Sequence, residues 1–143
     1  MREANLVYPM FAMVVLTASV LVVLFRSRVR AVRAGEVGTS FFRTFQGGSE
    51  PDSSVKAARQ FSNLFEAPTL YYAACLAAML VHDSSATAVA LAWLYVAARV
   101  AHACIHLGPN RLRYRVRAYF ISWVILATLW VHIVAHTAWG LEG

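Results

Sequence analysis

Arg59, Asn63 and Glu66 stand four and then three residues apart in the run Arg59-Gln60-Phe61-Ser62-Asn63-Leu64-Phe65-Glu66-Ala67-Pro68, so a helix carries all three on one stripe. A guanidinium, a carboxamide and a carboxylate in that order can grip a small zwitterion. Arginine takes a carboxylate through parallel N–H donors, and glutamate takes an ammonium group. A second stripe, Tyr95, Arg99, His102 and His106, advances by four, three and four residues, and Arg111, Arg113, Arg115 and Arg117 follow the turn Gly108-Pro109-Asn110. Pooled, these residues give a pocket with fixed cations, one carboxylate, an amide and a phenol beneath a rim of arginines, which is chemistry for a small zwitterionic or anionic ligand. The same residues are equally compatible with an interior ion-pair network that joins helices, because charges in a bundle need partners whether or not a ligand arrives.

Other chemistries fit less well. His102/His106 and His132/His136 are HxxxH pairs, a spacing that puts two imidazoles on one helical face, but no carboxylate or cysteine stands beside either at ligand spacing, so no metal site is expected. Five histidines in all are too few for the histidine boxes of a membrane di-iron oxidase. His132 and His136, with Trp130 and Trp139, fit an interfacial belt at the outer end of the last helix. Cys75 and Cys104 lack the flanking pattern of a redox pair or metal knuckle and are expected to act as small apolar groups.

The elements that position these groups are membrane helices. Of 143 residues, 59% are hydrophobic and only 14% are charged, far from the balance of a soluble domain. The chain reads as a single integral membrane domain spanning 1–143, an all-α, four-transmembrane-helix up-and-down bundle. Its helices are expected at about 6–25, 55–81, 86–107 and 112–139, each long enough for the roughly 20 residues a span needs. The first stretch is long for a signal peptide and ends at Arg26-Ser27-Arg28 without a small-residue cleavage site, which favours a retained helix. The net charge of +6 would point to nucleic acid in a soluble chain. Here the arginines cluster at the first connection (Arg26, Arg28, Arg30, Arg33, Arg43, with Lys56) and at the start of the fourth helix. Four up-and-down helices bring these regions to one side, cytoplasmic by the positive-inside rule.

Between the first two helices, Gly35, Gly38, Gly47, Gly48, Ser49 and Pro51 break any regular pattern; Phe41, Phe42 and Phe45 cluster there with Arg43, a composition suited to the membrane-water interface and equally open to a solvated, mobile connector or a lid over a site. Asp52, Ser53 and Ser54 are capping residues that set the second helix near Val55, and Pro68 falls inside that helix, where it should bend it or free a carbonyl. At about 1.5 Å per residue, Arg59, Asn63 and Glu66 lie roughly 6, 12 and 16 Å below the cytoplasmic end, and His106, His102 and Arg99 roughly 1.5, 7.5 and 12 Å. Antiparallel neighbours would thus bring Glu66 and Asn63 level with Arg99 and let Arg59 meet His102.

The box Arg59-x-x-x-Asn63-x-x-Glu66-x-Pro68, joined to Tyr95-x-x-x-Arg99-x-x-His102 and an arginine-rich start to the fourth helix, resembles the MAPEG family, membrane-associated proteins in eicosanoid and glutathione metabolism. Asn63-Leu64-Phe65-Glu66 and Ile105-His106-Leu107 look like its bacterial branch. The resemblance implies a homotrimer binding glutathione between subunits near the cytosolic side, and a glutathione-dependent transferase or peroxidase acting on hydrophobic electrophiles. Arg59, Asn63, Glu66 and Arg99 match the residues that hold the peptide, with His102 and His106 beside them. Arg115 best matches the arginine that activates the thiol, with Arg113 and Arg117 as neighbours in register. One guanidinium about 4 Å from a thiolate contributes roughly 4 kcal/mol at an effective dielectric of 20, against the roughly 2.7 kcal/mol that lowers a thiol pKa by two units. Two departures stand out: His106 occupies a place where animal members commonly have tyrosine, and Ala67 follows Glu66 where some have an aromatic residue. The expected partners are glutathione, a lipophilic substrate and membrane lipids, without nucleic acid, and short termini without a retention signal favour a bacterial inner membrane. A non-catalytic membrane module, binding a lipid headgroup or partner through the same pocket, is the alternative. A small multidrug exporter would need the carboxylate that the first helix lacks.

Overall fold

The computed structural model describes residues 3–46 and 48–139. A 3-10 turn at Glu3–Leu6 leads into α1 (Val7–Arg33), followed by the short α2 (Phe41–Thr44), α3 (Asp52–Asn63), α4 (Ala67–Leu80), α5 (Ala86–Leu107) and α6 (Leu112–Trp139). The described residues are all-helical apart from their connections. Three helices, α1, α5 and α6, are each long and apolar enough to cross a membrane. The last two coincide with the expected 86–107 and 112–139.

The second span differs from expectation. Instead of one helix over 55–81, α3 and α4 are separated at Leu64-Phe65-Glu66. Pro68 explains the place of the break: it has no N–H for the carbonyl of Leu64, and its ring opposes helical continuation on its N-terminal side. Proline therefore opens α4 rather than bending a continuous helix. The start also moves, to Asp52, with Pro51 at the N-cap and no side-chain cap; the Ser54 hydroxyl donates instead to Glu50 Oε1. The first helix outruns its expected end at 25 by eight residues, to Arg33. Apolar length measures the span, whereas the helix persists through good helix formers until Gly35, whose φ of +71° a side chain would resist.

The bundle packs on small residues. Ala74, Cys75 and Ala78 of α4 meet Ala88 and Ala92 of α5, all fully buried, with Met13 and Val20 of α1 and Leu126, Leu129 and Ile133 of α6 filling the same core. Alanine lets backbones approach closely, the usual basis of helix association in lipid. Tyr71 and Tyr95 stack at the centre with ring centroids 4.4 Å apart and planes 13° apart. Phe11, Phe25, Leu80, Phe120, Val124 and Val131 face outward, an apolar exterior appropriate to hydrocarbon.

Part of the first connection has a small core of its own. Phe41, Phe42 and Phe45 pack edge-to-face, and Phe41 joins Ala31 and Val37 in a small separate core. The cation over these rings is Arg28, 5.2 Å from Phe42 and 5.5 Å from Phe45, rather than the sequence neighbour Arg43; Arg28 also pairs with Glu50 at 3.2 Å.

Candidate functional site

The break in the second span creates the site. In an unbroken helix the carbonyl of Asn63 would accept from the N–H of residue 67; here it accepts from Arg99 Nη2 on α5, at 2.8 Å. Arg99 is fully buried, and its guanidinium donates to a backbone carbonyl that the end of α3 leaves without a helical partner. This ties the end of α3 to α5 beside the break, where Asn63 and Glu66 stand.

There they border a cavity of about 500 Å³ lined by Arg59, Ser62, Asn63 and Glu66 from the second span, His102 and His106 from α5, and Arg115, Val116, Tyr119 and Phe120 from α6. Of the seven residues singled out in the sequence, six line this space. The seventh, Arg99, stands behind Asn63 and does not form its wall. Among the described residues Arg59, Glu66 and Arg99 form no ion pair with one another; ion pairs form elsewhere, as between Arg28 and Glu50 and between Asp83 and His132. A closed interior salt-bridge network is therefore not what these charges build. Arg59 and Glu66 remain exposed at the cavity, one cation and one anion available to a ligand.

His102 and His106 are 2% and 3% exposed, with ring centroids 5.7 Å apart, and their Nδ1 atoms have no hydrogen-bond partner among the described residues. Tyr119 brings its ring to 5.8 Å from His102. Tyr119 follows Arg115 by four residues on the same face of α6, a spacing visible in the sequence but not singled out there.

Arg111, just ahead of α6, and Arg113, Arg115 and Arg117 in its first turns do not share one environment. Arg115 lines the cavity and is half-buried; its Nη1 donates to Asn110 Oδ1 at 2.9 Å and lies 3.5 Å from His106 Nε2. Arg111, Arg113 and Arg117 are exposed and lie outside the lining. Helix phase thus brings Arg115, of the arginines in register, to the cavity lining.

A model of the MAPEG family matches residues 6–135. The chain belongs to the MAPEG family. No curated protein and no solved structure matches it. Membership makes it an integral membrane helical bundle from a family associated with glutathione metabolism, and the cavity lies between the two segments that carry the family-like boxes.

At the opposite end of the bundle, Asp83, Ser85 and His132 form a second polar cluster. Asp83 Oδ2 and Ser85 Oγ both lie 3.1 Å from His132 Nε2, the same ring nitrogen. A serine–histidine–carboxylate triad needs the acid and the hydroxyl on opposite nitrogens, so this cluster lacks that arrangement. Ser85 also caps α5 through the N–H of Ala88, and Asp83 Oδ1 accepts from the N–H of Ser85. The cluster pins the α4–α5 turn to α6, so His132 has a structural partner beyond the interfacial belt expected for it. Among the described residues no three His, Cys, Asp or Glu side chains converge as a metal site would require.

Proposed function

We propose that the protein is a glutathione-dependent transferase or peroxidase that acts on lipophilic electrophiles. The observation that carries this reading is the convergence of Arg59, Asn63, Glu66 and Arg115 on one cavity with Arg59 and Glu66 unpaired. Its volume of about 500 Å³ suits a tripeptide, within the range of about 300–1,000 Å³ common for small-molecule sites. Arg59 takes a carboxylate of glutathione, Glu66 its ammonium group, and Asn63 a peptide amide. Arg115 directs its remaining N–H donors at the sulfur and stabilises the thiolate over the thiol. The thiolate then attacks an electrophilic carbon, with an S–C bond forming as the bond to the leaving group breaks, or the terminal oxygen of a peroxide, with an S–O bond forming as the O–O bond breaks and the alkoxide leaves to take a proton; a second glutathione thiol then attacks the sulfenic sulfur, giving the disulfide and water. Val116, Tyr119 and Phe120 supply the apolar wall; Phe120 is 62% exposed, so this wall continues to the lipid-facing surface by which a lipophile would arrive.

The reading includes a homotrimer in a bacterial inner membrane, with the site toward the cytoplasm. Charged side chains exposed on a membrane helix need water or protein against them rather than lipid, and a neighbouring subunit over Arg59 and Glu66 would provide that cover.

Glutathione titration of the detergent-purified protein, followed by calorimetry and thiolate absorbance, tests the proposal. Saturable binding with proton release is expected, with thiolate lost in Arg115→Ala. Arg59→Ala and Glu66→Ala should weaken glutathione affinity at least tenfold, about 1.4 kcal/mol each, with the fold retained. No heat and no absorbance change from folded protein would refute glutathione use and favour a non-catalytic binding module.

A further inference from the structure

Asn110 is a turn residue by sequence, yet its side chain points at the group assigned to thiol activation. Its φ is +48°, in the left-handed region that asparagine and glycine tolerate best, and its N–H donates to Ile105 O at 2.8 Å, closing the end of α5. That backbone conformation aims Oδ1 at Arg115 Nη1, 2.9 Å away, while His106 Nε2 lies 3.5 Å from the same nitrogen. Nη1 carries two hydrogens, so one –NH2 group can meet both acceptors, leaving Nε and Nη2 of the guanidinium for a ligand. Arginine can only donate. His106 Nε2 must therefore be the acceptor, which puts the proton of the neutral ring on Nδ1.

We infer that Asn110 is a positioning residue for Arg115: one side chain both permits the left-handed turn between α5 and α6 and locks the plane of the guanidinium over the cavity. The inference deepens the glutathione reading and rests on it for its effect on a thiol. The holding of Arg115 itself can be tested without any ligand. Glycine is the informative replacement because it keeps the turn and removes only the acceptor. Loss of the acceptor frees an arginine with considerable rotamer entropy, so Nε and Nη2 are no longer aimed at one point.

The experiment is a double-mutant cycle on Asn110→Gly and Arg115→Ala, read by the pKa of glutathione's thiol when bound to the detergent-solubilised full chain. In the parent protein Asn110→Gly is expected to raise that pKa by about one unit, equivalent to about 1.4 kcal/mol, and in the Arg115→Ala background to change it by less than about 0.2 units. A shift of equal size in both backgrounds would show that Asn110 acts on the fold and not through Arg115, and would overturn the inference; so would an unchanged pKa for Asn110→Gly when Arg115→Ala raises it. Guanidinium rotation of Arg115, measured by NMR in ligand-free protein, provides the separate arm. Rotation slow in the parent and faster in Asn110→Gly supports the holding role even where no bound thiolate forms, a result that would fell only the glutathione reading. Equal rotation in the two proteins overturns the inference whatever the ligand.

Discussion

Replacing Arg99 by methionine isolates the bond that holds the broken span in register. Methionine keeps much of the length and volume of the buried stem but supplies no donor to the carbonyl of Asn63, which now receives Arg99 Nη2 at 2.8 Å. A hydrogen bond from a charged group contributes about 1.5–3 kcal/mol net, and an orphaned buried carbonyl costs about 1–3 kcal/mol, two views of one loss that do not add. Against this, Arg99 Nε and Nη1 are buried without hydrogen-bond partners among the described residues, so removing the guanidinium also relieves a desolvated charge. The net expectation is a destabilisation of about 1–2 kcal/mol, a factor of roughly 5–30 in the folded-to-unfolded ratio. Reversible unfolding in mixed micelles, followed by helical circular dichroism, measures it. Glutathione affinity should fall in the same variant, since Asn63 and Glu66 flank the break, and Arg99→Lys, which keeps a donor on a flexible stem, should recover part of the stability. Stability within about 0.5 kcal/mol of the parent, with unaltered affinity, would show that the carbonyl is satisfied some other way and that Arg99 does not organise the site.

Two further substitutions probe the two ends of the bundle. A Cβ added at Gly108 would lie 2.8 Å from the carbonyl oxygen of Cys104, a backbone atom, so Gly108→Ala should shift the end of α5 and cost about 1–3 kcal/mol, with a lower unfolding midpoint as the readout; an unchanged midpoint would mean the turn yields freely. Asp83→Asn keeps the Oδ1 acceptor for Ser85 but removes the charge facing His132 across 3.1 Å, and should lower stability by about 1–2 kcal/mol while leaving glutathione binding intact, because the cluster lies at the other end of the bundle. A matching loss of binding would show that the two ends are coupled.

Much of this protein follows from residue order. Apolar run length places α5 and α6, because hydrocarbon thickness sets how many apolar residues a span needs. Helical periodicity puts Arg59, Asn63 and Glu66 on one stripe, and His102 and His106 on another, before any packing is known. What the sequence cannot carry is how two helices meet. Pro68 announces a disturbance, yet whether the helix bends or separates depends on whether a neighbour can serve the carbonyls left open at the break, and the guanidinium that takes that of Asn63 lies 36 residues away. For the same reason Arg99, counted with the ligand-binding residues from its spacing, stands behind the cavity wall in the fold. Arg113, Arg115 and Arg117 are alike as letters; the phase of α6 against α5, and the left-handed turn at Asn110, bring Arg115 to the cavity. The closure of this site is a matter of long-range contact, and local pattern encodes only which faces are available to make it.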